Sequence, residues 1–165
     1  MIGWLLATAG TAALGSFFPL VNIELYLLGV VSTVDGVSWW AFGLAAAVGQ
    51  VAGKTLFYFA GRGGFALGER LLKRLETKRK GSRWAGWFEK FHQRTVERPW
   101  WGLGVLALTA IPGIPPYSLM CLLSGAAGLP LLGFLAASLL GRSAHFLIVA
   151  GAPELLHWLP AALGS

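Results

Sequence analysis

The residues able to do chemistry are few, and most of them interrupt apolar runs. Arg142 lies fourteen residues into the 23-residue apolar stretch 129–151. A guanidinium at that depth costs at least about 2.5–3.5 kcal/mol on insertion scales, so it needs a partner or a water-filled cavity. It could receive a phosphate through two parallel hydrogen bonds, which a lysine cannot reproduce. Lys54 breaks a second long apolar stretch, 37–60, and Arg62 follows directly after that stretch ends. Glu24 sits in a third apolar segment, close behind Pro19. A carboxylate there could carry a proton. Two cations and one carboxylate set within apolar segments suit the movement of an anion through hydrocarbon, which requires fixed positive potential in a polar cavity.

Other chemistries find little support. Cys121 is a lone cysteine in an apolar run and reads as a buried, inert thiol. His92, His145 and His157 are far apart, so no metal site is expected, and no cofactor motif is present. Ser118, Ser124, Ser138 and Ser143 show no nucleophile–base spacing and read as packing residues, so the chain is not expected to be an enzyme.

The composition dictates the elements that must hold these groups. Of 165 residues, 56% are hydrophobic and 12% charged, against about 25% charged in soluble domains. Too little polar surface remains to cover a globule in water, so the expected class is an all-α integral membrane protein. The net charge of +6 is uneven: residues 62–98 hold eleven Lys or Arg against four Glu, a balance of +7. Between apolar segments such a block is expected in the cytoplasm, facing anionic headgroups rather than nucleic acid.

Prolines divide the apolar segments. Pro19 lies within 15–29, and Ile111-Pro112-Gly113-Ile114-Pro115-Pro116 divides 100–128 into two halves. Proline lacks the N–H that a helix ladder needs, so each segment is expected to form a re-entrant helical hairpin whose broken backbone lines a cavity. Each is followed by a transmembrane helix, 37–60 or 129–151, the first flanked by aromatic belts at Trp39-Trp40 and Phe57-Tyr58-Phe59. Ile2–Leu14 is too short to span and is expected at the interface or part-way in. Leu67, Leu71, Leu72 and Leu75, then Trp84, Trp87, Phe88 and Phe91, recur at helical spacing and predict two amphipathic interfacial helices. The halves echo one another: Pro19 precedes Gly29 as Pro115 precedes Gly125, and the spans carry Gly53-Lys54 and Gly141-Arg142. This suggests two hairpin-plus-helix repeats, with an inverted repeat as one arrangement and shared composition as the alternative.

The run Gly49-x3-Gly53-x4-Tyr58-x2-Gly61-Arg62-x-Gly64 resembles the glycine-rich motif of the DedA membrane proteins, which carry the VTT (SNARE-associated) domain. Phe18-Pro19, Glu24 and Gly29 resemble that family's first hairpin. Pro112, Pro115, Gly125 and Gly141-Arg142 resemble its second hairpin and following helix. Two departures mark a divergent member: no arginine pair flanks the second hairpin's prolines, and Lys54 stands where an acidic residue is common. The resemblance implies a transporter or flippase for a phosphate-bearing lipid, undecaprenyl phosphate or a phospholipid, in the bacterial inner membrane, with proton coupling suspected.

On this reading the chain is one membrane domain, 1–165: a first hairpin-plus-span at 14–60, a basic cytoplasmic connection at 61–99, and a second hairpin-plus-span at 100–151. Arg142, Lys54 and Arg62, with the broken backbone at Pro19, Pro112 and Pro115, are the candidate substrate-binding residues, and Glu24 is the proton-coupling candidate. The expected partners are the membrane and an anionic lipid or polyprenyl phosphate, and a homo-oligomer is compatible with the reading. Two alternatives stay open: an ion-coupled exporter of small solutes or drugs using Glu24, and a non-transporting scaffold.

Overall fold

A computed structural model describes residues 2–17, 22–33, 38–63, 83–114 and 116–163. Among these the chain is all-helical: α1 (Ile2–Gly15), α2 (Ile23–Thr33), α3 (Trp39–Gly61), α4 (Arg83–Glu97), α5 (Pro99–Ala110), α6 (Tyr117–Ala126) and α7 (Leu131–Leu163).

The breaks fall where local chemistry demands them. After α1 the backbone tightens, Ser16 N–H donating to the Ala13 carbonyl at 3.1 Å and Phe17 N–H to Leu14 at 3.0 Å. The chain re-enters helix at Asn22, whose Oδ1 accepts from the N–H groups of Glu24 (3.0 Å) and Leu25 (3.2 Å), a side-chain N-cap. Pro19 and Pro115 lie outside the described residues. Helix α5 opens with Pro99 in its first turn, where no ladder bond is lost, and closes at Ala110, ahead of Pro112. Gly113 then adopts φ +70°. Helix α6 ends on Gly128 at φ +72°: Leu129 N–H reaches the Ser124 carbonyl at 3.2 Å and Gly128 N–H the Gly125 carbonyl at 3.0 Å. That is a Schellman cap, which needs a left-handed residue at this position. Helix–break–helix therefore occurs twice. The first instance is displaced from the expected 15–29: α1 already forms at Ile2, so Gly15 adjoins the break, and α2 runs through Gly29 to Thr33.

The two long helices start within two residues of expectation. In α7, Leu131–Ala152 is long and apolar enough to cross a membrane, with mean hydropathy 1.6 over its best window, of which 33% is buried within the protein. Twenty-two residues rise about 33 Å at ~1.5 Å each, enough for a ~30 Å hydrocarbon core. Leu132, Leu140 and Ile148 along α7 are 81%, 71% and 62% exposed, large apolar side chains turned outward on different sides of the helix. Among the described residues no other helix meets the same test; α3 is as long but is interrupted by Gln50, Lys54 and Thr55. The tail past Ala152, for which no element was expected, continues α7 to Leu163.

The first expected amphipathic helix, at Leu67–Leu75, lies outside the described residues; the second is α4. Of its apolar stripe, the described Trp87 and Phe91 pack on protein. Phe91 and Thr95 are 1% exposed, and Trp87 packs on the core formed with α5 and α6. The 87, 91, 95 spacing is one helical stripe.

Two compact units result. One comprises residues 1–53 and 142–165, the other 54–141. The first is built on Leu27, Phe42, Ala46 and Phe146; the second on Tyr58, Phe91, Leu106, Met120 and Phe134. Each holds one helix–break–helix and a part of both long helices. The divisions fall between Gly53 and Lys54 and between Gly141 and Arg142, the two glycine–cation pairs that echo in the sequence.

Candidate functional site

In the first unit, Asn22 fixes the start of α2 and thereby places Glu24 in its first turn, where a carboxylate also complements the helix dipole. Oε1 of Glu24 meets Nε2 of His145 at 3.0 Å, with the side chains 48% and 17% exposed. The contact is a full ion pair when the imidazole is protonated and a hydrogen bond when it is neutral. One helical turn earlier, Arg142 is 6% exposed. Its guanidinium lies over the Phe146 ring, 4.9 Å from the centroid, and the His145 ring meets the same phenyl edge-on at 5.0 Å. Phe146 thus forms an apolar floor for two nitrogen-rich groups; a desolvated cation–π contact can contribute ~2 kcal/mol. Gln50 of α3 adds a buried Oε1 that lacks a hydrogen-bond partner among the described residues.

The glycine-rich motif holds this unit's helices close. A side chain at Gly49 would collide with the Ala9 backbone, and one at Gly53 with Ser16 Oγ at 2.7 Å and the Ala13 carbonyl at 2.8 Å. Ser16 Oγ donates to the carbonyls of Ala12 and Gln50, both at 3.2 Å, tying α1 to α3.

In the second unit, Lys54 is 6% exposed and donates from Nζ to Ser118 Oγ at 2.6 Å. Its ammonium also lies 4.8 Å from the Phe57 ring centroid. This differs from a lysine that merely snorkels to an interface. Tyr58 is fully buried and stacks on Phe134 at 4.5 Å, so it faces inward rather than joining an aromatic belt. Its hydroxyl donates to the Leu129 carbonyl and accepts from Arg62 Nη1. Arg62 is itself exposed, in the turn after α3. Gly61 and Gly125 face each other's helices: a Cβ at Gly61 would strike the Leu122 carbonyl, and one at Gly125 the Tyr58 carbonyl. Pro112 is exposed in the α5–α6 break.

The structure therefore gathers Arg142 and Glu24 in one unit, and Lys54, Arg62 and Pro112 in the other. Two residues of these contacts carry little signal in the sequence. His145 is separated from Glu24 by 121 positions, and its only sequence signal is the one-turn spacing from Arg142. Ser118, 64 positions from Lys54, has the sequence context of a packing residue; its place just behind the proline break is its one signal. Cys121 is fully buried, as expected. Among the described residues no group of His, Cys, Asp or Glu could hold a metal.

These elements make an all-helical protein, among the described residues, with one helix long and apolar enough to cross a membrane and cations buried on its two long helices. The chain belongs to the VTT domain (DedA) family: the model of the VTT domain matches residues 11–154. That family is membrane-associated and transporter-like. No curated protein and no solved structure matches the chain.

Proposed function

We propose that this protein translocates a phosphate-bearing lipid, undecaprenyl phosphate or a phospholipid, across the bacterial inner membrane. One observation carries the reading: Arg142 is 6% exposed within the apolar stretch Leu131–Ala152. A guanidinium so placed supplies fixed positive potential and a two-pronged donor for phosphate oxygens. On this reading the two helix–break–helix elements re-enter the membrane, and the lipid tails stay in the bilayer while the headgroup crosses. The basic segment 62–98 faces the cytoplasm. Lys54 contributes a second charge, Arg62 gathers anionic headgroups, and Glu24 carries a coupling proton. Neither a cofactor nor an enzymatic step enters this scheme.

The alternative, export of a small cationic solute, would use Glu24 as its anchor. The Glu24–His145 contact weighs against it, because the carboxylate already has a nitrogen partner. Reconstitution into liposomes decides between them. Fluorescent phospholipid in one preparation and a polyprenyl phosphate in another should cross leaflets faster than in empty vesicles. Movement of a cationic dye with neither lipid moving would favour the exporter.

A further inference from the structure

We infer that Ser118, backed by Lys54, is an oxyanion subsite that takes a phosphate group at the start of α6. The choice of phosphate rests on the lipid-phosphate reading above, whereas the site rests on side chains distant in sequence from Arg142.

The argument turns on where the serine proton points. Lys54 Nζ donates to Ser118 Oγ at 2.6 Å, the short distance of a charge-assisted bond. An ammonium has donors only, so Ser118 is the acceptor and its own O–H is directed away from Nζ. Helical hydroxyls can place that proton on the carbonyl one turn back. Thr8, Thr33 and Thr109 do so here, at 2.9, 2.7 and 2.9 Å. Ser118 does not: among the described residues its side chain bonds Lys54 alone. The hydroxyl is therefore a donor polarised by a cation, with no acceptor among the described residues.

Its surroundings suit an anionic acceptor. Ser118 is half-buried, and Pro112, Ile114 and Pro116 leading up to it are exposed. Oγ thus belongs to a residue next to an exposed stretch, and its partner Lys54 is 6% exposed. Neither α3 nor α6, the two helices that hold the pair, carries a carboxylate. The first turn of α6 adds the positive end of its dipole. Ser118 is the contact and Lys54 the charge behind it.

The test titrates the detergent-solubilised full-length protein with dioleoyl phosphatidic acid, with inorganic phosphate, and with dioleoylglycerol as the phosphate-free control. Ser118→Ala removes the donor; Ser118→Thr keeps it. Ser124→Ala removes another hydroxyl of α6, one fully buried. Ser118→Ala should bind phosphatidic acid about tenfold more weakly, equivalent to ~1.4 kcal/mol, with Ser118→Thr within about threefold of wild type and Ser124→Ala unchanged. If inorganic phosphate shows the same Ser118 dependence, a free phosphate suffices; if only phosphatidic acid does, the source is the lipid headgroup. Wild-type affinity in Ser118→Ala overturns the subsite. So does an equal loss in Ser124→Ala, or in a Ser118→Thr protein that melts normally. The two readings fail separately: Ser118-dependent binding without transport retires the flippase, whereas transport indifferent to Ser118→Ala retires the subsite.

Discussion

Nε2 of His145 stands 3.0 Å from Oε1 of Glu24, joining α7 to α2 across 121 positions of sequence. With Glu24 about half exposed, the pair contributes at most about 1 kcal/mol to stability. Its value lies in position: it ties the first turn of α2 to α7, one helical turn beyond the buried Arg142.

On the proton-coupling reading of Glu24, transport in liposomes should respond to an imposed proton gradient in the wild type, and Glu24→Gln or His145→Gln should each weaken that response. The double variant should add nothing further, the signature of residues acting as a unit. A response as strong as wild type in both single variants would remove the pair from the coupling scheme. Headgroup binding should survive Glu24→Gln.

Arg142→Lys should fold and insert normally yet lose most transport, because lysine keeps the charge but loses the planar fork. Arg142→Leu should also insert, since it removes a guanidinium from an apolar stretch. Purification yield and melting temperature monitor folding, and lipid scrambling or directed transport is the functional readout. A wild-type rate in Arg142→Lys would make the residue a structural counter-charge and place the phosphate elsewhere.

Gly125→Ala and Gly61→Ala each drive a methyl group into a backbone carbonyl of the facing helix. Each should destabilise by about 1–3 kcal/mol, the usual cost of overpacking. Gly29→Ala and Gly104→Ala meet nothing within 4 Å and should be neutral or stabilising, by up to about 1 kcal/mol from helix propensity. Unfolding in mixed detergent, comparing all four, checks the contrast; equal losses at every site would mean that α3 and α6 do not pack so closely.

The basic segment should be cytoplasmic. Gln93 is exposed on α4, and Cys121 is fully buried, so a maleimide should find Gln93→Cys first. In intact cells an impermeant reagent should leave it unlabelled until the inner membrane is opened. Efficient labelling beforehand inverts the topology.

Much of the fold was legible because its signals are local. Pro112 lacks an N–H, and α5 stops two residues before it; Asn22 can accept from the N–H groups ahead of it, and α2 starts there. The long apolar runs yielded α3 and α7 for the same reason. The site was less legible because its pairings are distant: nothing near Glu24 names His145, and nothing near Lys54 names Ser118. The glycine motif betrayed the family, but the sequence did not show that Gly61 and Gly125 meet backbone on opposite helices. The stripe of α4 was read correctly as amphipathic, yet periodicity does not say whether lipid or protein covers the apolar side, and Phe91 turned out to be buried by protein.

The discontinuous unit, residues 1–53 with 142–165, has a consequence for biosynthesis. When the ribosome has released α3, this unit's core still lacks Phe146 and Ala150, which close it over Phe42 and Ala46. Glu24 likewise waits for His145. The part made before residue 54 is thus completed only when the later α7 arrives. A nascent chain arrested at Gly141 should leave its N-terminal helices open to protease and to quality-control factors. One extended a little beyond Ala150 should not.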